Sequence, residues 1–200
     1  MIKNVVFDVG KVLVHFEPEM VMDHLGICEE KKKRLNNAMF HNSLWNEFDR
    51  SEVSASKILE KFIELEPECE TQIREVFSRV GEMIFPTDYE LEWIKGLKKR
   101  GYHLFVLSNY AEFTYEETKH KMDFLQYMDG VVFSYECKMI KPEQGIYRHL
   151  IEKYHLDPSE SVFLDDRKEN VDAAKKAGMS GIVFKTFDQA STELEEMLNK

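Results

Sequence analysis

Four short apolar runs, separated by segments with helical spacing, occupy the second half of this 200-residue chain. Runs that are apolar throughout are typical of parallel strands covered on both faces. Strands that alternate with helices predict βαβ units and therefore a doubly wound parallel sheet. The runs are 104–108 (LFVLS), 131–134 (VVFS), 161–165 (SVFLD) and 181–184 (GIVF).

Another strand is predicted near the N-terminus, where Val5, Val6 and Phe7 lead directly to Asp8. Residues 16–85 then break the alternation, because they are rich in Glu, Lys and Met, show helical spacing and contain no convincing strand. A segment of this length far exceeds an ordinary strand-to-helix connection, which indicates a separate module. We therefore predict an α/β fold: a Rossmann-like three-layer parallel sheet core from 1–15 and 86–200, with an inserted all-helical module from 16–85.

Composition narrows the partners and the compartment. The formal net charge of −10 argues against nucleic acid or an anionic membrane, since both favour basic surfaces. Three widely spaced cysteines suggest neither a disulfide framework nor a zinc site. With no signal-peptide pattern and no apolar stretch of membrane-spanning length, we expect a cytoplasmic protein.

Chemically useful side chains follow several of the predicted strands. In an open parallel sheet, ligands bind at the carboxyl ends of the strands, so these side chains can converge on one edge. Each one alone has a plain structural interpretation as a turn residue, a loop residue or a helix cap. Their occurrence in order, at successive strand ends, makes a shared site the better interpretation. The residues are Asp8, Ser108, Asn109, Lys141, Asp165, Asp166 and Asn170.

This combination suits phosphoryl transfer. An ionised Asp can attack phosphorus and form an acyl-phosphate, which splits one hard displacement into two easier steps. Paired carboxylates bind Mg²⁺, a hard cation that prefers oxygen ligands and offsets charge on the phosphoryl oxygens. Ser108 with neighbouring N–H groups can bind phosphoryl oxygens, and Lys141 supplies a compact positive charge.

The ordered set resembles the four motifs of the haloacid-dehalogenase (HAD) superfamily of hydrolases, and the likeness covers nearly the whole chain. The matching segments are FDVG at 7–10, LSN at 107–109, KP at 141–142 and LDD at 164–166. The helical insertion resembles the C1-type cap of that family, which closes over small substrates. The family also contains metal-independent 2-haloacid dehalogenases, but their fourth motif usually lacks adjacent carboxylates, so a phosphatase is preferred.

The resemblance also implies roles for individual residues. Asp8 would be the nucleophile, with Lys141 as its catalytic partner, and Ser108, Asn109 and Lys141 would bind phosphate. Mg²⁺ would be held by Asp8, the backbone carbonyl of Gly10 and Asp166. Asp165 and Asn170 would contact the residues that bind the ligands rather than the ligands themselves, and Asp165 would orient Lys141. The expected partner is a small phosphorylated metabolite.

Position 10 departs from the family pattern. Most phosphatases of the family carry there a second Asp that acts as general acid and base, and this chain has Gly10. Three interpretations stay open: a catalytically weak protein with a binding or regulatory role, a substitute group, or a substrate with a good leaving group. An anomeric hydroxyl is an acidic leaving group, so a sugar 1-phosphate fits the third interpretation. The FDxGxV pattern resembles a subgroup that includes α-D-glucose-1-phosphate phosphatases, which supports activity despite the glycine. The candidate substitutes are Lys11, His15, His41, Glu47 and Asp49.

The insertion also contains three aromatic residues that could form part of its core. Phe40, Trp45 and Phe48 are predicted to pack in the core of the helical module rather than to contact a substrate.

Overall fold

The computed structural model describes residues 1–199 and contains seven strands and eleven α-helices in that range. The strands are β1 (Asn4–Phe7), β2 (Val14–Phe16), β3 (Ile84–Pro86), β4 (His103–Ser108), β5 (Gly130–Phe133), β6 (Ser161–Asp165) and β7 (Ser180–Val183). The helices are α1 (Pro18–His24), α2 (Glu29–Leu35), α3 (Ser43–Arg50), α4 (Ala55–Leu65), α5 (Glu70–Ser78), α6 (Glu90–Lys99), α7 (Glu112–Thr118), α8 (Ser134–Cys137), α9 (Gln144–Tyr154), α10 (Lys168–Lys176) and α11 (Phe187–Leu198).

Five of the strands form one parallel sheet in the order β5-β4-β1-β6-β7. The chain therefore places β1 in the centre and adds strands on both sides of it. In such sheets the crevice for a ligand opens at the carboxyl end of the strand where the order reverses, which here is β1. The predicted Rossmann-like parallel sheet is confirmed.

Alternating side chains of β1 enter two hydrophobic clusters, one on each face of the sheet. Val5 and Phe7 belong to the cluster that contains the apolar faces of α6 and α11. Val6 belongs to the cluster built from α9 and α10. Because both faces are covered, every residue of β1 is buried, which explains the uninterrupted apolar pattern of the sequence.

The insertion is helical over most of its length, but the prediction that 16–85 lacks strands is wrong at both ends. Val14–Phe16 (β2) and Ile84–Pro86 (β3) form a two-stranded antiparallel sheet where the chain leaves the core and returns to it. Three-residue strands are too short to show alternation in a sequence, so pairing with a distant partner reveals them. This pair joins the insertion to the core through two adjacent backbones. The division into a core and a cap stays a prediction.

Across residues 1–199, every helix is too short or too polar to span a lipid bilayer. The cytoplasmic location stays a prediction.

Candidate active site

Three neighbouring strands bring polar groups to one edge of the sheet. Asp8 directly follows β1, Ser108 ends β4 and Asp165 ends β6. β4 and β6 flank β1 on its two sides, so the carboxyl ends of all three strands meet at one place. Residues separated by about a hundred positions in sequence thereby become neighbours, as the motif order predicts.

Asp8 is held through one of its two carboxylate oxygens. Its Oδ1 accepts hydrogen bonds from the backbone N–H of Val9 at 2.8 Å and from Ser108 Oγ at 2.6 Å. Lys141 Nζ lies 2.8 Å from the same oxygen. No group in residues 1–199 donates a hydrogen bond to Oδ2, and Asp8 lines a cavity. The carboxylate is fixed in orientation while one oxygen stays available for a ligand.

Lys141 connects two carboxylates in the interior of the protein. Its ammonium group lies 2.6 Å from Asp165 Oδ2 as well as close to Asp8, and the residue is only 2% exposed. Burial opposes its charge, yet the charges of Asp165 and Asp8 outweigh this and raise the pKa of Lys141 above its ordinary value. Lys141 is therefore a permanently charged group at the site.

Asn109 supports Lys141 rather than pointing its amide at a ligand. Its Oδ1 accepts from the backbone N–H of Lys141 at 2.7 Å, and its Nδ2 donates to the carbonyl of Lys141 at 3.0 Å. These two hydrogen bonds occupy both the oxygen and the nitrogen of the side-chain amide. The side chain expected to bind phosphate therefore fixes the loop that carries Lys141, although Asn109 still lines the cavity.

Asp165 has its hydrogen-bonding capacity filled by protein groups. Its Oδ1 accepts from the backbone N–H of Arg167 at 2.8 Å, and Asn170 Nδ2 lies 3.0 Å from both oxygens. Together with Lys141 on Oδ2, these donors leave Asp165 little capacity for an external ligand. Asp165 is placed to orient Lys141 and Asn170, whereas Asp8 and Asp166 face the cavity.

The acidic groups are close enough to share a cation. Carboxylate oxygens of Asp8, Asp165 and Asp166 all lie within 4.8 Å of one another. Burial, together with the charge of Asp165, raises the pKa of Asp166, and burial raises the pKa of Asp8 although Lys141 opposes that shift. Among the described residues, Lys141 is the cation within ion-pair distance of Asp8 and Asp165, and Asp166 has no such partner. A divalent cation would neutralise the carboxylate charge that this leaves.

A second observation fits a hard cation at this place. Asn170 Oδ1 is buried and has no hydrogen-bond partner among the described residues, although Asn170 lines the cavity. A buried acceptor without a donor is costly unless water or an ion satisfies it. Gly10 lines the same cavity two residues beyond Asp8, where its backbone carbonyl can add an oxygen ligand. The donor set is all oxygen, which suits Mg²⁺.

The site opens into a cavity of about 630 Å³ between the core and the insertion. Phe40 and Trp45 line it together with Phe16. Both also pack against the hydrophobic core, as expected, and whether they contact a substrate stays a prediction. Phe48 is buried as expected, at 2% exposure. One side of the cavity is therefore charged and the other is largely aromatic.

The structure separates the five candidates for the group missing at Gly10. His15 stacks on Phe85, with ring centroids 4.7 Å apart, and Glu47 pairs with Lys61 at 2.7 Å. Neither of these two lines the cavity, whereas Lys11, His41 and Asp49 do. Arg167 also lines it, next to the acidic cluster.

Asp49 is the buried member of this group. It is 8% exposed, and burial, with a further contribution from the charge of Asp8, raises its pKa to about 8. No local pattern in the sequence singles it out, because it lies within a helix of the insertion with no motif around it. Only the folded arrangement places it in the same cavity as Asp8.

A parallel α/β sheet with an acidic cluster and a buried lysine at the carboxyl end of its central strand defines a class of Rossmann-like enzymes. A sequence profile of the haloacid dehalogenase-like hydrolases matches residues 2–178, and the chain belongs to this family. The family relationship inferred from the four motifs is confirmed, and the protein is a hydrolase.

Individual relatives are phosphatases. The chain is 27% identical to D-ribitol-5-phosphate phosphatase of Bacteroides thetaiotaomicron, over 94% of this chain and 91% of that protein. It is 25% identical to a phosphorylated carbohydrates phosphatase of Thermotoga maritima, over 89% and 82% of the two chains. The crystal structure of a HAD family enzyme from B. thetaiotaomicron, in complex with magnesium and inorganic phosphate, superposes with a TM-score of 0.73. At 22% identity, covering 94% and 96% of the two chains, this last similarity supports the fold.

Proposed function

We propose that the protein is a Mg²⁺-dependent phosphatase that hydrolyses a small phosphomonoester through an aspartyl-phosphate on Asp8. The observation that carries this proposal is the state of Asp8. Two hydrogen bonds and the ion pair with Lys141 hold Oδ1, Oδ2 accepts no hydrogen bond from the described residues, and a cluster suited to a divalent cation adjoins it. An oriented carboxylate with one free oxygen is what a nucleophile requires.

Asp8, the backbone carbonyl of Gly10 and Asp166 would hold the cation. When bound, Mg²⁺ supplies positive charge beside the phosphoryl oxygens and favours the ionised form of the carboxylates around it. Asp165 stays hydrogen bonded to Lys141, to Asn170 and to the backbone N–H of Arg167. Asp165 thereby fixes the orientation of Lys141 without contacting the substrate.

In the first half of the reaction, Oδ2 of Asp8 attacks phosphorus, and the bond between phosphorus and the ester oxygen breaks. In the second half, water attacks phosphorus, inorganic phosphate leaves and the carboxylate of Asp8 is restored. Lys141 supplies a fixed positive charge to the phosphoryl group throughout, and N–H groups after β4 contribute hydrogen bonds. Ser108, whose hydroxyl donates to Asp8, would bind a phosphoryl oxygen by turning that proton towards it. Because Lys141 is already paired and buried, it needs little reorganisation during the reaction.

The cavity supports a small organic group with both polar and apolar faces. Aromatic walls suit the faces of a carbohydrate carbon skeleton, while His41, Asn42 and Asn46 offer polar contacts. Two relatives are named for phosphorylated carbohydrate or polyol substrates, which supports that substrate class here. A sugar 1-phosphate stays the specific prediction from Gly10, and a polyol 5-phosphate is the alternative that the relatives suggest.

A screen of phosphorylated metabolites, including sugar 1-phosphates and primary alkyl phosphates, tests the proposal. We expect phosphate release that depends on added Mg²⁺ and disappears with EDTA or in Asp8→Asn, a variant that changes one carboxylate oxygen to an amide. Halide release from a 2-haloacid in the presence of EDTA would instead show a dehalogenase. Absence of both activities would indicate a binding or regulatory protein.

A further inference from the structure

A phosphatase site without a carboxyl group at position 10 still needs a proton for the departing alcohol. We propose that Asp49, on the insertion, donates this proton and later accepts one from the attacking water, so that it replaces the side chain missing at Gly10. This inference rests on the phosphatase function proposed above and adds a catalytic residue to it.

The helix α3 presents one face to the cavity, and Asp49 lies at the end of that face. Asn42, Trp45, Asn46 and Asp49 recur at helical spacing, and all four line the cavity. Among the described residues, the carboxyl groups in the cavity wall belong to Asp8, Asp49 and Asp166. Asp8 and Asp166 are committed to the nucleophile and the cation, which leaves Asp49 for proton transfer.

The other protonatable groups of the cavity are less suited to this role. Lys11 and His41 are exposed to solvent, where water competes for their hydrogen bonds. The Tyr110 hydroxyl is hydrogen bonded to Thr118 Oγ1 at 2.8 Å, and burial raises its pKa further. Arg167 keeps its proton at any relevant pH.

The backbone of Asp49 is anchored directly to the core. Ser134 Oγ, fully buried, donates to the carbonyl of Asp49 at 2.6 Å and accepts from the backbone N–H of Tyr110 at 2.8 Å. Tyr110 follows the β4 segment that carries Ser108. The position of Asp49 is therefore tied, through one hydroxyl group, to the strand end that orients the nucleophile.

The two residues after Asp49 add further anchors. Arg50 pairs with Glu143 at 2.6 Å and donates to the carbonyl of Lys138 at 2.9 Å. The carbonyl of Ser51 accepts from Lys138 Nζ at 2.7 Å, close in sequence to Lys141. A proton donor must be positioned as accurately as the nucleophile, and these contacts fix this end of α3 on the core.

The electrostatic surroundings suit a group that works as acid and then as base. Burial first, and the charge of Asp8 next, hold Asp49 protonated near neutral pH, while Lys141 and Arg167 oppose that shift. A carboxyl group poised near the working pH is efficient in both directions of proton transfer.

The proton balance closes over the two half-reactions. As Oδ2 of Asp8 bonds to phosphorus and the ester bond breaks, the proton of Asp49 passes to the ester oxygen and the alcohol leaves neutral. As water then bonds to phosphorus and the acyl-phosphate bond breaks, the water proton passes to Asp49. The enzyme returns to its starting state with Asp49 protonated and Asp8 ionised.

The test compares two esters that differ in their need for a proton. The first is the primary alkyl phosphate with the highest kcat/KM in the screen, and the second is p-nitrophenyl phosphate, whose leaving group departs without protonation. We expect Asp49→Asn to lower kcat/KM, which reports the steps up to release of the alcohol, by about 10²–10⁴-fold on the alkyl ester and by less than about tenfold on the aryl ester. Glu47→Gln is the matched control, because it makes the same chemical change on α3 but outside the cavity.

Equal losses of kcat/KM on the two esters would overturn the inference, since they would mean that Asp49 acts through binding or structure. Unchanged alkyl activity, or a wild-type enzyme that hydrolyses no primary alkyl phosphate, would also overturn it. If Asp49→Asn does not fold, Asp49→Ala is measured in the same way. Failure of the phosphatase function itself is recognised separately, because the wild-type protein would then release phosphate from neither ester.

Discussion

Lys141 is the residue on which both the stability and the chemistry of the site depend. It lies between Asp8 and Asp165 with almost no exposure, so its removal leaves two buried carboxylates close together without a cation. Breaking a buried pair in this way typically costs about 3–5 kcal/mol.

We therefore expect Lys141→Met to lose about 3–5 kcal/mol of unfolding free energy in metal-free buffer, measured by urea denaturation, and to lose phosphatase activity. Lys141→Arg should keep the charge but not the activity, because a planar guanidinium cannot occupy the place of the compact ammonium. Near-normal stability of Lys141→Met would show that the pair is hydrated and unimportant for the fold.

At position 10, a carboxyl side chain can be restored by mutation. A Cβ built there meets none of the described residues within 4 Å, so the backbone has room for the first atom of a side chain. If Asp49 supplies the proton that position 10 lacks, Gly10→Asp introduced into Asp49→Asn should raise kcat on the alkyl ester by at least about tenfold. Steady-state kinetics of the single and double variants measure this effect. An unchanged kcat in the double variant would contradict the inference that Asp49 replaces the side chain missing at position 10.

Among the secondary-structure elements, one glycine in a strand and one in a helix should respond in opposite ways to replacement by alanine. A Cβ at Gly130, the first residue of β5, would overlap the Tyr154 ring, whose hydroxyl is hydrogen bonded to Val131. A Cβ at Gly96, on an exposed part of α6, meets nothing within 4 Å.

Gly130→Ala should therefore destabilise the protein by about 1–3 kcal/mol through overpacking. Gly96→Ala should stabilise it by about 0.5–1 kcal/mol, because alanine loses less backbone entropy in a helix. Denaturation midpoints of the two variants, compared with the parent, measure both effects. A stabilising Gly130→Ala would mean that the Tyr154 ring moves away easily.

The elements also show what a sequence can and cannot predict. The strand predicted at 161–165 has the observed bounds of β6. The strands predicted at 104–108, 131–134 and 181–184 are observed within one residue at each end. These strands can be predicted because a buried strand is a continuous apolar run. The pair β2 and β3 was missed, because three residues are too few to show a period. Asp49 could be named as a candidate but not selected, because its neighbours in the site are distant in sequence.

For the molecule as a whole, we expect cation binding and folding to be linked. A cation that binds the folded acidic cluster and not the unfolded chain raises stability by about 2.7 kcal/mol at a hundred times its Kd. We expect Mg²⁺ to raise the Tm of the parent protein in a concentration-dependent way.

The matched variant is Asp166→Asn, which removes one cavity-facing carboxylate and leaves the bonds of Asp165 intact. Its Tm should respond little to Mg²⁺, and, because burial and the charge of Asp165 already raise the pKa of Asp166, its metal-free Tm should be no lower than that of the parent. Equal Mg²⁺ responses of parent and variant would place the cation elsewhere.

In the proposed reaction the phosphoryl group passes through Asp8. A rapid acid quench of the protein during turnover of a radiolabelled phosphomonoester, followed by peptide mapping, tests this step. We expect a transient label on the peptide that contains Asp8, released by hydroxylamine as an acyl-phosphate and absent from Asp8→Asn. Product formation in a pre-steady-state burst without label on the protein, or a label that persists in Asp8→Asn, would contradict it.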